Sequence, residues 1–312
     1  MRHAALVVLS LLVAAPAASQ IPTDGQWMIE PGDHSGMVSL TVRYGRHGDS
    51  ENWTSSDDVP LSELAGLSAA EMTGAGATVH FKIVRDAGTL TCEGWFEGGK
   101  GSGHFTYAPN ADFTAALAKR GIGAPTEQQQ FELTMSDVGL ALVDELAREH
   151  YDAPTIGELT KMGTHGADLK YLKEMDHAGY RLGSPAALIR TRDHGVDAEF
   201  VAGLDSAGFQ HVAIEDLVRV RDHGVDPDYI RDMKSVGYAP HDLEMLVEAR
   251  DHGVDSKYVQ DLKDAGYGDL TLSELRRARD HGVTKGFIRR VIERDGGKPS
   301  LDELIRMRDR GL

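Results

Sequence analysis

Two hydrophobic patterns divide the chain near residue 107. In residues 20–106, apolar and polar positions alternate with a period of two, and glycine-rich stretches interrupt the alternation. From residue 107 onward, apolar positions recur three and four residues apart. The first pattern predicts β-strands with one buried face, and the second predicts amphipathic helices. The predicted fold class is therefore α+β, with a small antiparallel β domain followed by a helical region.

The β domain is predicted to contain several strands joined by short turns. The strands are expected at Gln26–Ile29, Met37–Tyr44, Ala77–Val84, Gly88–Phe96 and His104–Tyr107. Glycine marks hairpin turns at Asp86–Gly88 and at Gly98–Gly103. A short helix is predicted over Leu61–Leu67, and Ser68 is placed to cap a second helix at Ala69–Met72.

The helical region is an internal repeat of 29 residues. The motif Asp193-His194-Gly195-Val196 returns at Asp222, at Asp251 and at Asp280 without any change in spacing. Degraded copies begin at Thr164 and at Asp309. A single pair of short helices is only marginally stable, whereas stacked pairs bury a continuous apolar core. The sequence therefore predicts an α-solenoid of about seven 29-residue helix-turn-helix repeats over residues 107–312.

Residues that cap helix N-termini recur with the same period. Side-chain oxygens of Asp, Asn, Ser and Thr accept hydrogen bonds from the first N–H groups of a helix. The predicted caps of the first helices are Asn110, Asp168, Asp197, Asp226, Asp255 and Thr284. The predicted caps of the second helices are Thr155, Ser184, Asp242, Thr271 and Ser300, with Ala213 as the exception. Glycines such as Gly237 and Gly253 are expected to end the helices in a left-handed conformation.

Three sets of large apolar residues also recur and are predicted to form the core of the repeats. An aromatic position in the first helix is held by Phe113, Tyr171, Phe200, Tyr229, Tyr258 and Phe287. The next turn carries Leu117, Leu146, Met175, Leu204, Met233, Leu262 and Val291. The second helix carries Leu159, Leu188, Leu217, Leu246, Leu275 and Leu304.

Residues 1–19 are predicted to be a secretory signal peptide. Arg2 gives a basic start, Ala4–Ala15 is apolar, and Ala17–Ser19 offers small residues for cleavage before Gln20. The apolar stretch is shorter than the roughly 20 residues that a membrane-spanning helix needs. We therefore expect a periplasmic or secreted protein that does not insert into a membrane after cleavage.

Charge and cysteine content narrow the expected chemistry. The net charge of −16 disfavours nucleic acid as a partner, because phosphate backbones repel an acidic protein. Cys92 is the single cysteine, so no internal disulfide can form. Its position in a predicted strand favours a buried thiol over a reactive one. No cofactor is predicted.

Specific motifs make the chain resemble a known group of proteins. These motifs are Val59-Pro60-Leu61, the stretch from Glu93 to Phe105 that reads EGWFEGGKGSGHF, and the Arg-Asp-His-Gly-Val repeats. The chain resembles an uncharacterised bacterial envelope family, and similar repeats are found fused behind peptidase domains of the BlaR antirepressor type. The resemblance implies a bacterial cell-envelope setting in sensing or assembly. The chain lacks the membrane helices and the His-Glu-x-x-His signature of such a peptidase, so no catalytic residue is carried over.

The repeated histidines are the candidate site with the clearest chemistry. Imidazole nitrogens suit zinc or copper, and one histidine per repeat would form a row. The histidines are His165, His194, His223, His252 and His281. Packed helices lie about 10 Å apart, which is far for shared metal coordination at about 2 Å. We therefore favour a structural role in which each histidine bonds the last carbonyls of its helix, and keep metal or pH sensing as the alternative.

Arginine–aspartate pairs precede the histidines and form a second row. The pairs are at 192/193, 221/222, 250/251, 279/280 and 308/309. Each aspartate is expected to meet an arginine of the next repeat and fix the stacking register. Clamping of a ligand by these arginines is the alternative interpretation.

The function predicted from these patterns is that of an exported, non-enzymatic interaction scaffold. A protein or peptide partner is expected to bind the repeat surface, and the partner-binding residues are not identified by the sequence. The alternatives are an envelope sensor that responds to metal or pH through the histidines, and a hydrolase in the β domain. Lys100, His104 and Glu97 are the clustered polar residues that such a hydrolase would use.

Overall fold

A computed structural model describes residues 24–32, 34–45, 52–239 and 242–311. The predicted signal peptide lies outside the described residues. The chain divides into two compact units, and each is described separately below. The first unit runs to Asp144 and includes Pro154–Gly163, and the second comprises Glu145–Ala153 and the chain from Thr164 onward. The predicted α+β class is confirmed: an antiparallel sheet precedes a region of helical repeats.

The first unit contains a seven-stranded antiparallel sheet with the strand order β3-β2-β1-β7-β6-β5-β4. The strands are β1 Asp24–Pro31, β2 Met37–Gly45, β3 Asn52–Pro60, β4 Leu64–Ala65, β5 Ala77–Arg85, β6 Gly88–Glu97 and β7 Lys100–Pro109. One face is apolar, with Trp27, Ile29 and Phe96 almost fully buried. Because side chains alternate along a strand, the intervening residues form a second, polar face. We call this second surface the open face.

The structure corrects three details of the predicted β domain. Asn52–Pro60 forms an unpredicted strand along β2, and among its side chains described from Thr54 to Pro60 only Val59 is buried. An edge strand of this kind lacks the alternation that reveals strands in a sequence. The predicted helix over Leu61–Leu67 is wrong, because a 3₁₀ turn at Leu61–Glu63 is followed by β4. The turn predicted at Gly98–Gly103 shortens to two residues, and Lys100 already begins β7.

Strands β6 and β7 contain glycines at positions where neighbouring aromatic rings occupy the space that a side chain would need. A Cβ atom added to Gly101 would lie 2.5 Å from the Phe96 ring. A Cβ atom added to Gly94, in β6, would lie 2.4 Å from Trp27. Gly94 and Gly101 therefore make room for large aromatic rings in the sheet.

The helices in the described part of the chain are short and regular. They are α1 Ala69–Thr73, α2 Ala111–Lys119, α3 Glu127–Met135, α4 Leu140–Arg148, α5 Ile156–Thr164, α6 Leu169–His177, α7 Pro185–Asp193, α8 Ala198–Ser206, α9 Ile214–Asp222, α10 Pro227–Ser235, α11 Leu243–Asp251, α12 Ser256–Asp264, α13 Leu272–Asp280, α14 Lys285–Asp295 and α15 Leu301–Asp309. Helix α3 adds Phe131 to the core of the sheet, where its ring contacts Tyr44 and Tyr107 edge-on. Within the described ranges, no helix is long and apolar enough to cross a bilayer.

The predicted helix caps are confirmed. The side chain of Asp226 accepts a hydrogen bond from the N–H of Tyr229, and Thr271 forms a full capping box with Glu274. Ala213 has no side-chain cap, as expected. The glycines after the helices have positive φ angles, for example +86° at Gly237. The predicted core is also confirmed, because all members of the three apolar sets are buried.

Candidate functional site

The repeated histidines link neighbouring repeats through their side chains. Nδ1 of His194 lies 2.7 Å from a carboxylate oxygen of Asp222, which belongs to the next repeat. The same contact, at 2.6–2.7 Å, joins His165 to Asp193, His223 to Asp251, His252 to Asp280 and His281 to Asp309. The histidine side chains are 38–42% exposed. We call these five contacts the His–Asp ladder.

The histidines close their helices through the backbone N–H group and not through the imidazole ring. The N–H of His194 donates to the carbonyl of Arg190 and helps to close its helix. The expectation that the imidazole ring bonds the helix carbonyls is wrong, because the ring contacts an aspartate 28 residues later. The sequence shows that this aspartate repeats, but it does not show that the stacking brings it to the histidine.

The repeated arginines pack on aromatic rings of the first helix in their own repeat. The guanidinium carbon of Arg250 lies 4.9 Å from the centre of the Tyr229 ring. Equivalent contacts, at 4.8–5.4 Å, place Arg192 on Tyr171, Arg221 on Phe200, Arg279 on Tyr258 and Arg308 on Phe287. The expected Asp–Arg pairing is therefore wrong in its partners, since aspartate meets histidine and arginine meets the aromatic ring. The histidine–aspartate row joins adjacent repeats and so fixes their register, whereas the arginine row joins the two helices of each repeat.

Tyrosine hydroxyl groups make a further contact across each repeat boundary where tyrosine is present. The hydroxyl of Tyr229 donates to the carbonyl of Val254 at 2.9 Å. Tyr171 and Tyr258 make the same bond to Val196 and Val283. Burial raises the pKa of Tyr229 to about 12. Phe200 and Phe287 occupy the equivalent position without a hydroxyl group.

A second row of contacts was missed by sequence reasoning. The ammonium group of Lys263 donates to the carbonyl of Val236 at 2.5 Å and lies 5.4 Å from the centre of the Tyr238 ring. Lys298 contacts Gly266 and Tyr267 in the same way. The tyrosines recur with the repeat, so their spacing was a usable signal, but lysine does not keep a constant position.

Exposed positions on the first helices differ from repeat to repeat. One outward position carries Glu199, Asp228, Lys257 and Gly286 in successive repeats. A second carries Ala202, Arg231, Gln260 and Arg289, and a third carries Ser206, Ser235, Asp264 and Glu293. All of these residues are exposed. The repeats thus share their caps, core and boundary contacts, and they differ on the solvent side.

The polar residues suggested for a hydrolase do not form a single cluster. Lys100 pairs with Glu30 at 2.5 Å and is the cross-strand neighbour of Glu97. His104 lies four residues along β7 from Lys100, a separation of about 13 Å in an extended strand. Among the described residues, no group of three or more His, Cys, Asp or Glu side chains is arranged to hold a metal ion.

Cys92 is buried in β6 and faces the core. Only 1% of the residue is exposed. Burial raises the pKa of its thiol to about 12, which keeps the thiol protonated at neutral pH. This environment agrees with the predicted buried thiol.

A groove lies on the open face, across strands β2, β1, β7 and β6. It has a volume of about 480 Å³. Its side chains are Gln26, Met28, Thr41, Arg43, Glu93, Trp95, Ser102 and His104, and parts of Trp27, Gly94 and Gly103 complete the lining. We call it the open-face groove. Sequence reasoning missed it because the strand register decides which residues become neighbours.

Comparison with known proteins adds no further information on the site. No protein-family model, no curated protein and no solved structure matches the chain.

Proposed function

We propose that this chain is a non-enzymatic interaction scaffold of the bacterial cell envelope, periplasmic or secreted. It binds a protein or peptide partner through the surface of its helical repeats. The observation that carries the proposal is the separation between repeated and variable side chains in the second unit.

The repeated polar side chains already have structural partners. Arginine lies on an aromatic ring, and histidine and aspartate contact each other across the boundary. The first contact joins the two helices of a repeat and the second joins neighbouring repeats, which leaves the outward helix faces as the surface for recognition. Because those faces change in charge and size from repeat to repeat, they suit a partner without a matching period. A folded protein or a peptide of mixed sequence has this property.

Met245, on the second helix of its repeat, is a further exposed position that varies between repeats, and we place the partner there. Its side chain lies on α11, and the residue is 45% exposed. The equivalent positions in other repeats carry Ala187, Asp216, Glu274 and Glu303. An exposed methionine adapts to irregular apolar partners, because its side chain is flexible and polarizable. The substitution of an acidic residue by methionine at this one repeat therefore favours a contact role.

The experiment is affinity capture from an envelope extract with the purified chain and two variants. Met245→Glu introduces the residue that adjacent repeat α13 already carries, so the fold should be kept. Val84→Glu is the matched control, because Val84 is a 64% exposed apolar residue in the first unit. We expect Met245→Glu to reduce recovery of a reproducible partner at least about tenfold, as for a contact in the centre of an interface. Equal recovery with all three proteins would contradict this location.

The His–Asp ladder favours one alternative function, an envelope sensor of metal or pH. Each ladder histidine is partly exposed, and protonation would convert its contact with aspartate into an ion pair. The test replaces all five ladder histidines with Gln and measures zinc binding and acid-dependent unfolding of the full chain. Unchanged zinc affinity and unchanged acid behaviour would exclude the sensor.

A further inference from the structure

The open-face groove has the features of a binding site that the proposed scaffold function does not use. From its geometry we propose that it binds a neutral oligosaccharide. Sugar rings present C–H groups on their faces and hydroxyl groups around their edges. A site for them needs an exposed aromatic surface beside several free donors and acceptors, and the groove offers both.

Trp95 provides the aromatic surface. The residue is 51% exposed although it lies on an interior strand of the sheet. Its ring packs beside Gly76, where an added Cβ atom would lie only 2.4 Å from Cζ2. Gly76 therefore leaves room for the ring and holds it on one side, while the rest of the indole faces solvent. The negative face of an aromatic ring attracts C–H groups, which carry partial positive charge.

The opposite wall is formed by Met28, which is 42% exposed. Ser102 lies between the two walls, because it is the cross-strand neighbour of both Met28 and Trp95. Two strand spacings separate the walls by about 9.5 Å. The small serine side chain leaves this width open, and the total volume of about 480 Å³ lies within the range of small-molecule sites.

A row of four polar side chains runs beside these walls. Cross-strand pairing places Arg43 next to Gln26, Gln26 next to His104, and His104 next to Glu93. Arginine donates hydrogen bonds, glutamate accepts them, and glutamine and histidine do both. Among the contacts of the described residues, none gives these four side chains a hydrogen bond or an ion pair. They are free to bond the hydroxyl groups of a sugar.

The same contacts disfavour other ligands. Strands β1, β7 and β6 pair on both sides, so their backbone groups are not available to bind a peptide by strand addition. Arg43 and Glu93 balance each other in charge, which disfavours a polyanion. The polar row and Ser102 make the groove a poor site for an alkyl chain. A neutral ligand with both C–H and hydroxyl surfaces is the class that remains.

The test measures binding of maltotetraose, cellotetraose and chitotetraose to the full chain, by calorimetry and by tryptophan fluorescence. We expect at least one tetrasaccharide to bind with a dissociation constant below about 1 mM. Trp95→Ala should weaken that binding at least about tenfold, as expected for an aromatic anchor. Val84→Ala is the matched control, because it removes an exposed apolar side chain outside the groove, and it should leave binding unchanged.

A second variant keeps the tryptophan and blocks the groove, which separates loss of the site from other effects of removing Trp95. Ser102→Leu fills the space between the two walls, and it too should abolish binding while circular dichroism shows an unchanged fold. The proposal is overturned if no neutral tetrasaccharide binds at about 10 mM, a concentration that detects even weak ligands. It is also overturned if binding survives both groove variants, or if only an acidic hyaluronan tetrasaccharide binds.

Discussion

Replacement of Tyr229 by phenylalanine tests the contacts between repeats at a single atom. The hydroxyl group donates to the carbonyl of Val254 at 2.9 Å, and both residues are buried. The ring remains in Tyr229→Phe, so its packing and its contact with Arg250 should be kept. The variant removes the hydrogen bond and leaves a buried carbonyl without this donor.

The expected loss of stability has two sources, the missing hydrogen bond and the buried carbonyl group that loses its donor. A typical hydrogen bond contributes about 0.5–1.5 kcal/mol net, and a buried group left without a partner costs about 1–3 kcal/mol. We therefore expect Tyr229→Phe to lower the free energy of unfolding by about 1–2 kcal/mol. In a domain of 150–250 residues, each 1 kcal/mol lowers the melting temperature by about 2–4 °C.

The opposite substitution can be made at the equivalent position of the preceding repeat. Phe200 occupies the equivalent position one repeat earlier, and Phe200→Tyr should place a hydroxyl near the carbonyl of Val225. This variant is expected to be more stable than the wild type by about 0.5–1.5 kcal/mol. Urea and thermal unfolding followed by circular dichroism measure both variants. If Tyr229→Phe were as stable as the wild type, the hydroxyl group would contribute nothing to the boundary, contrary to this prediction.

Further predictions concern the core, a cap and two perturbed pKa values. Leu246→Ala should lower the free energy of unfolding by about 2–5 kcal/mol in urea titrations, because this leucine is fully buried; a loss below about 1 kcal/mol would contradict its core position. The hydrogen bonds from the Thr271 N–H and hydroxyl lower the pKa of Glu274, so its contribution is present above the unfolded pKa and is lost as the pH falls through the folded value. Unfolding experiments should accordingly show that Glu274→Ala destabilises at pH 7 but not in strong acid, and a pH-independent difference would argue against the capping box. The pKa of Tyr229 is raised to about 12 from 10.0, so stability present below pH 10 should decline as the pH rises towards 12. That alkaline loss should be smaller in Tyr229→Phe, and an equal loss would assign it to other groups. The Cys92 thiol, with a pKa of about 12, should not react with a disulfide reagent at pH 8 until the chain is unfolded, and rapid native labelling would contradict its burial.

The sequence predicted the structure correctly where interactions between residues close in the chain determine it. Helix caps such as Asp226 and left-handed glycines such as Gly237 act within one turn of the chain, so their identity and spacing are enough to place them. The apolar period predicted Leu246 and its equivalents in the core for the same reason. Strand Asn52–Pro60 escaped notice because its polar side chains carry no comparable pattern.

Contacts between distant residues were harder to predict. The period showed that His223 and Asp251 recur, but only the stacking of helices brings the ring of one to the carboxylate of the other. The same limit applies to the open-face groove. Met28 and Trp95 are 67 positions apart in the chain, and the register of three strands makes them opposite walls of one groove.

The proposed function requires that the repeat surface binds a protein or peptide partner. Cross-linking of the purified chain in an envelope extract, followed by mass spectrometry, detects this binding and locates it on the chain. We expect reproducible cross-links to one partner from exposed lysines of the repeats, such as Lys234 and Lys257, and we expect them to decrease in Met245→Glu. Cross-links confined to lysines of the sheet, such as Lys82 and Lys100, or no reproducible partner at all, would contradict the proposed function.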